Sequence, residues 1–372
     1  MLELIDVSKR VGGEDHIRNV NLRFDRGSLN VLLGPTLSGK TSLMRLMAGL
    51  DKPTSGDIRV DGKSVVGMAV QKRNVAMVYQ QFINYPSLTV YENIASPMRV
   101  AGTDSATIDR KVREAADLMK LGEFLDRTPL NLSGGQQQRT ALARALVKGA
   151  DLVLLDEPLA NLDYKLREEL RVELPKIFAE TGAIFLYATT EPHEALLLGG
   201  RTATLSEGRV TQFGPTIEVY NRPADLMTAQ TFADPPLNIV PMIKSGNDLS
   251  FGGKSVAAPA SAQGLADGPY RVAVRPHHLL LHAPAGICLE LEAEVSTSEI
   301  TGSESFIHVE SSGERWVALT HGVHRVQPGD RIPVFLDPGS FFIFDAQDRL
   351  VASPSQGALP HEDLAVASAG HG

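Results

Sequence analysis

The sequence predicts an α/β domain over residues 1–235, an all-β domain over 236–355 and a flexible tail over 356–372. Three observations carry that reading. LVLLDEP and AIFLYA are short, continuous apolar runs, the mark of strands buried on both faces of a sheet, and long helical patterns alternate with such runs. The stretch ADPPLN at 233–238 is Pro-rich punctuation, and the texture changes there. From 270 to 352 the segments become short and alternating, separated by turns such as Pro328-Gly329-Asp330.

In chain order, VNLRF and LNVLLG read as strands and residues 40–50 as the helix that follows. Residues 105–121 and 135–148 carry further helical patterns, ahead of the strands in LVLLDEP (152–158) and AIFLYA (183–188). That alternation predicts the α/β class. RVAVRP, CLELEAEVS, SFIHVE, RWVALT, RIPVFLD and SFFIFD predict a small β-barrel. The tail SQGALPHEDLAVASAGHG is small and polar, with too little apolar surface to order itself.

Composition narrows the function classes. The chain has 372 residues, is 43% hydrophobic and 22% charged, and contains one cysteine, Cys288. One thiol forms neither an internal disulfide nor a cysteine metal cluster, which fits a reducing cytosol. No apolar run reaches the ~18 residues of a membrane span. MLELIDVSKR lacks the charged-then-apolar pattern of a signal peptide, so no cleaved leader is expected. The net charge of −8 speaks against a nucleic-acid partner.

GPTLSGKT at 34–41 matches G-x-x-x-x-G-K-[ST], follows a strand and opens a helix. In that context the loop amides and the helix N-terminus point at phosphate oxygens. Lys40 is then placed to reach the β- and γ-phosphates and the Thr41 hydroxyl to bind Mg²⁺. LVLLDEP ends a buried strand in Asp156, a Mg²⁺ ligand through water, and Glu157, placed to polarise an attacking water. LSGGQQQR at 132–139 is a second glycine-rich loop opening a helix, and two phosphate-binding ends in one chain suggest two different nucleotides.

These strings, in this order, resemble the ATP-hydrolysing subunits of ABC transporters, and with the C-terminal half the resemblance covers nearly the whole chain. It implies a P-loop ABC domain with a helical subdomain, then an OB-type (TOBE-like) regulatory β domain. Gly34, Pro35, Thr36, Leu37, Ser38, Gly39, Lys40 and Thr41 would hold ATP, with Val11 at the adenine. Thr41, Gln80 (the Q-loop glutamine of MVYQQFINYPSLTVYENI) and Asp156 would hold Mg²⁺. Leu132, Ser133, Gly134, Gly135 and Gln136 form the signature, which in this family reaches across a dimer to the partner's ATP. Ala160, Asn161, Leu162 and Asp163 form the D-loop. QFGPTIEVYNRP, FADPPLN, AVRPHHL and LDPGSFFIFD narrow the likeness to importers of sugars, polyols and glycerol 3-phosphate, and within them to the paired ATPases of a bacterial glycerol importer. That subgroup implies two membrane permeases, a periplasmic binding protein and a place on the cytoplasmic face of the inner membrane.

Three residues depart from the family pattern. The family reads aromatic-x-T-H-D where this chain has Tyr187-Ala188-Thr189-Thr190-Glu191, so Thr190 takes the switch-histidine position. His193, three residues on, points elsewhere. Thr189 or Thr190 is also a candidate cap for the next helix, with Pro192 in its first turn. Val11 stands where the family offers an aromatic ring to adenine, a change that by analogy with base stacking costs about 1–3 kcal/mol; His16 is a substitute candidate. Leu37 replaces a common loop glycine. All three would touch the nucleotide held by this chain's own loop, while the signature and Glu157 are intact. The pattern predicts a heterodimer with a second, paralogous ATPase, in which this chain's own site is slow. Two other readings compete: a soluble ABC ATPase of DNA repair or translation, against which no coiled-coil insertion or second ATPase half is present, and a purely regulatory, non-hydrolysing subunit, against which Glu157 stands.

Tyr85, Pro86 and Tyr91 fall where the family seats the permease's coupling helix. His277 and His278, as neighbours on a strand, are expected to point to opposite faces rather than to share a metal. Arg110 and Arg113 with their acidic neighbours read as a solvated helix face.

Overall fold

The computed structural model describes residues 1–81, 83–160 and 162–354; Asn161 of the D-loop and the expected tail lie outside them. Contacts divide the chain into two compact units, Met1–Val219 and a second that begins at Tyr220. The division precedes the change of texture at 233–238 because the helix Leu226–Thr231 buries Leu226 and Ala229 against Ala273, Phe342 and Phe344 of the second unit.

In the first unit, β1 (Leu2–Val11) and β2 (Glu14–Phe24) form a hairpin. β3 (Leu29–Leu33) then runs into α1 (Lys40–Ala48). β4 (Ser55–Val60) and β5 (Lys63–Ser64) extend the hairpin into a sheet of order β2-β1-β4-β5. β6 (Val75–Val78), β7 (Leu152–Asp156), β8 (Ile184–Thr189), β9 (Arg201–Ser206) and β10 (Arg209–Pro215) join β3 in a second sheet. Its order is β10-β9-β3-β8-β7-β6, and every pairing but β10–β9 is parallel. α1 lies between the sheets: Leu43, Met44 and Leu46 share one core with Leu2, Leu4 and Phe24 on one side and Leu32, Leu154 and Leu186 on the other.

A helical layer supplies the rest of the unit. α2 (Val90–Val100) is capped by Thr89 and α3 (Ser105–Leu118) by Asp104. α4 (Gly134–Val147) packs against both. The solvated face of α3 is as expected: Arg110 pairs with Glu114 and Arg113 with Asp109, both exposed. α5 (Tyr164–Thr181) starts at the cap Asp163, and α6 (Pro192–Leu198) follows β8.

The second unit is all β. One antiparallel sheet has six strands, from Asn238–Ser245 to Leu350–Ala352, and another has five, with Leu289–Ile300 at its centre. Their inner faces share a core that includes Val240, Val272, Leu291, Ile307, Val334 and Ile343. Asn238 joins the sheets directly, donating to the Val317 carbonyl at 2.9 Å and accepting from the Val317 N–H at 2.7 Å. His277 and His278 correct the sequence reading. They sit in a single 3-10 turn, Pro276–His278, rather than on a strand, and their rings meet edge to face at 4.2 Å. Burial, with the charges of His277 and Arg275, pushes His278 down to about 4.

Candidate active site

Three strand ends build the site. β3, β8 and β7 are neighbours in that order, so the loops after them open side by side at the carboxyl edge of the parallel sheet, the usual ligand edge of such sheets. The Gly34 N–H donates to the Thr189 carbonyl at 3.3 Å, and the Glu157 N–H donates to the Ala188 carbonyl at 3.0 Å. The backbone alone therefore brings the phosphate loop, the Asp156–Glu157 pair and Thr190 together.

The loop fits a polyphosphate. A Cβ at Gly34 would lie 2.4 Å from the Leu205 carbonyl and 2.7 Å from the Ser38 hydroxyl, so only glycine lets the loop close. Gly39, at φ 104, precedes α1 and leaves its N-terminus free of a side-chain cap. The Ser38 hydroxyl is buried without a partner among the described residues. Lys40 is buried and donates to the Gly34 carbonyl at 2.7 Å and the Pro35 carbonyl at 3.1 Å. Burial pushes its ammonium down, while Glu157 and Asp156 pull it back up. Leu37 is 96% exposed at φ 68, a left-handed backbone that favours glycine, so this departure strains the loop locally.

Hard oxygen donors converge next to it, as Mg²⁺ requires. The Thr41 hydroxyl donates to Asp156 Oδ2 at 2.7 Å. Burial pushes the Asp156 carboxyl up, against Thr41 and Lys40. Glu157 is also raised by burial, opposed by Lys40. Its backbone is left-handed at φ 47. Gln80 donates its amide to Glu157 Oε2 at 2.8 Å, which ties the Q-loop to the carboxylate.

Thr190 is exposed beside the loop, and His193 is exposed on α6. Neither threonine caps α6. The N-cap is Glu191, without a side-chain bond, and Pro192 takes the first turn as expected. The Thr189 hydroxyl turns inward instead: it donates to Glu194 Oε2 at 2.6 Å and accepts from the Glu191 N–H at 3.0 Å. Tyr187 donates to the same carboxylate at 3.1 Å, and Arg171 of α5 bonds Glu194 and Glu191 at 3.1 Å each. Sequence reading missed this buried network, although the arginine-rich face of α5 was its available signal. Val11 is 48% exposed at the tip of the β1–β2 hairpin. That hairpin passes the loop closely, since a Cβ on Gly39 would meet the His16 carbonyl at 3.1 Å.

The signature lies at the start of α4. Ser133 is its N-cap, and a capping box is complete: the Ser133 N–H donates to Gln136 Oε1 at 2.8 Å and the Gln136 N–H to Ser133 Oγ at 3.3 Å. Leu132 is buried as an anchor, while Ser133 and Gly134 face solvent and Gly135 is half-buried. In the D-loop, Leu162 is buried and Asp163 caps α5 through the Leu166 N–H at 3.0 Å. Elsewhere, Arg73, Tyr85, Pro97, Val100, Arg144 and Lys148 line an open groove of about 660 Å³. Pro86 is not among its lining residues, and Tyr91 bonds Asp109 at 3.3 Å instead.

The "ABC transporter" family model matches residues 17–160, which hold the phosphate loop, the signature and the Asp156–Glu157 pair. A relative named sn-glycerol-3-phosphate import ATP-binding protein UgpC 3, from Rhizobium etli, is 38% identical over 86% of this chain and 89% of its own length. This chain is an ABC transporter ATPase. The alpha-glucoside transport ATP-binding protein AglK of Rhizobium meliloti is 35% identical to this ABC ATPase over 92% of the chain and 97% of its own length. A solved dimeric ATP-binding cassette, MJ0796 bound to ADP and Pi, shares 29% identity and a TM-score of 0.54, covering 58% of this chain and 99% of its own. The "TOBE domain" model matches residues 272–344, within the second unit.

Proposed function

We propose that this ABC ATPase powers the import of a small polyol or sugar, with glycerol as the first solute to test. The observation that supports the reading is the convergence of Lys40, Thr41, Asp156 and Glu157 at one sheet edge, together with a complete, exposed signature at the start of α4. In this reading the loop amides and Lys40 bind the phosphates of ATP. Thr41 and Asp156, with Gln80 nearby, hold Mg²⁺, which supplies charge neutralisation at the phosphates. Glu157 orients and polarises the attacking water. The Thr190 hydroxyl donates to a γ-phosphate oxygen without the charge of an imidazolium. Ser133, Gly134 and Gly135 complete the site of a partner ATPase, and the D-loop meets that partner.

No helix among the described residues is long and apolar enough to cross a membrane. We assign this ABC ATPase to the cytoplasmic face of an inner membrane, held there by two permeases that a periplasmic binding protein supplies with solute. The groove lined by Tyr85, Val100 and Arg144 is the proposed permease seat. Relatives named for sn-glycerol 3-phosphate and for alpha-glucoside support the polyhydroxylated class, and each is an alternative to glycerol. The confinement of Val11, Leu37 and Thr190 to one nucleotide's surroundings supports pairing with a second, different ATPase.

The test is reconstitution in liposomes with candidate permeases and a binding protein from the same source. One of labelled glycerol, sn-glycerol 3-phosphate or an α-glucoside should accumulate with ATP, and Lys40→Ala should abolish both ATP binding and uptake. Unchanged ATP affinity in Lys40→Ala, or no membrane association of the chain, defeats the proposal. The mass of the purified transporter separates a mixed ATPase pair from two copies of this chain.

A further inference from the structure

The LSGGQQQR string continues past the signature to Gln138, one turn into α4. Gln138 is 1% exposed, and its amide nitrogen faces two consecutive carbonyls of another segment. It donates to the Pro158 carbonyl at 2.7 Å and to the Glu157 carbonyl at 3.4 Å. Its Oε1 is buried without a partner among the described residues, so the carbonyls of Glu157 and Pro158 set the orientation of the amide. A buried polar group left half-satisfied is costly, and in native proteins it asks for an explanation.

The segment that Gln138 holds is strained. Glu157 has a left-handed backbone at φ 47, which a side-chain-bearing residue keeps only when its surroundings impose it. Three hydrogen bonds hold its backbone. The Glu157 N–H donates to the Ala188 carbonyl at 3.0 Å, and the Glu157 carbonyl accepts from the Ala160 N–H at 3.3 Å and from the Gln138 amide at 3.4 Å. The first ties it to the sheet and the second closes its own turn. The third, with the shorter bond from Gln138 to the Pro158 carbonyl at 2.7 Å, comes from the helix whose exposed start is Ser133.

We propose that Gln138 is a positioning residue that ties the signature helix to the backbone of Glu157, so that engagement of the signature by the partner's nucleotide sets the aim of this chain's own carboxylate. The inference rests on the roles assigned to the signature and Glu157 under Proposed function. A rigid helix transmits displacement of its first turn to Gln138, whose amide nitrogen passes it to the carbonyls of Glu157 and Pro158. The bond thus links the two nucleotide sites of a dimer through one amide.

The test uses the purified full chain, with Mg-ATP binding and phosphate release measured on the same preparations. Gln138→Met removes the donor at similar volume. Gln138→Glu keeps the shape and regains a donor only when the introduced carboxyl is protonated. Both should lower kcat at least about tenfold at about pH 8 while KM for ATP stays within about twofold, the pattern of a lost transition-state interaction. Burial raises a carboxyl's pKa, so toward about pH 6 Gln138→Glu should recover relative to the wild type while Gln138→Met does not. Unchanged kcat in Gln138→Met, kcat and KM moving together, or one shared pH profile for both variants overturns the proposal. Failure of Gln138→Glu to fold at the lower pH also overturns it, because the bond is then a folding contact. A wild-type chain that binds no Mg-ATP removes the functional reading itself; binding by the wild type with indifferent variants removes only the role of Gln138. If the wild type binds but releases no phosphate alone, the same profiles are read in a transporter assembled with a partner whose matching glutamate is changed to glutamine, so that the residual turnover reports this chain's own Glu157.

Discussion

At the signature end of the first unit, Ser133 and Gln136 exchange two hydrogen bonds, and the start of α4 stands open to solvent. At the phosphate-loop end, Leu37 holds a backbone suited to glycine, Val11 offers no ring, and Thr190 offers a hydroxyl in place of an imidazole. Both ends use the same physics, a glycine-rich turn feeding a helix N-terminus. The difference lies in which nucleotide each would serve. Under the proposed roles, the departures at Val11, Leu37 and Thr190 lie where this ABC ATPase would hold its own ATP rather than where it would complete a partner's.

The largest expected effect tests that asymmetry directly. In the assembled transporter, with binding protein and solute present, Ser133→Arg should cripple phosphate release, since it fills the exposed helix start with bulk and positive charge. Glu157→Gln in this chain should leave a large fraction of turnover, and the matching change in the partner should remove nearly all. Equal loss from both glutamate changes shows two equivalent sites and ends the comparison.

The next effect concerns the switch position. A single preorganised donor to developing charge is worth about 10²–10³ in rate, part of which the threonine recovers. Thr190→His should therefore raise phosphate release by the isolated chain by about tenfold or more, with ATP affinity nearly constant. No gain would mean that the buried Thr189–Glu194–Arg171 network, and not the residue at 190, sets the rate.

The smallest effect belongs to Leu37. A left-handed backbone costs a side-chain-bearing residue about 1–2 kcal/mol. Leu37→Gly should remove that strain and tighten Mg-ATP binding several-fold, read by calorimetry, with thermal stability unchanged or slightly raised. Weaker binding after the change would show that the exposed leucine contributes a contact of its own.

Much of this was legible in the chain. The phosphate loop, the signature and the Asp156–Glu157 strand end are local: each needs particular residues at fixed spacing because backbone amides within a few residues do the binding. The buried strands Leu152–Asp156 and Ile184–Thr189 were legible because a sheet covered on both faces requires continuous apolar runs. The all-β character of the second unit followed from alternation and turns, which predicted a small β-barrel; its division into a six-stranded and a five-stranded sheet did not.

Tertiary structure decided the rest. The sequence sets no neighbour order for β3, β8 and β7, yet that order brings Lys40, Glu157 and Thr190 to one edge. Whether Thr189 caps a helix or turns inward depended on Glu194 and Arg171 being there to receive it. The histidine pair read as strand neighbours until the 3-10 turn at Pro276 brought the rings together. Gln138 was one polar residue in a helical string until folding placed two carbonyls from a segment 19 and 20 residues away against its amide. Local chemistry is written in residue type and spacing, because it acts over one turn of chain. Contacts between distant segments arise only when apolar faces close into a core, and that closure is a property of the whole unit.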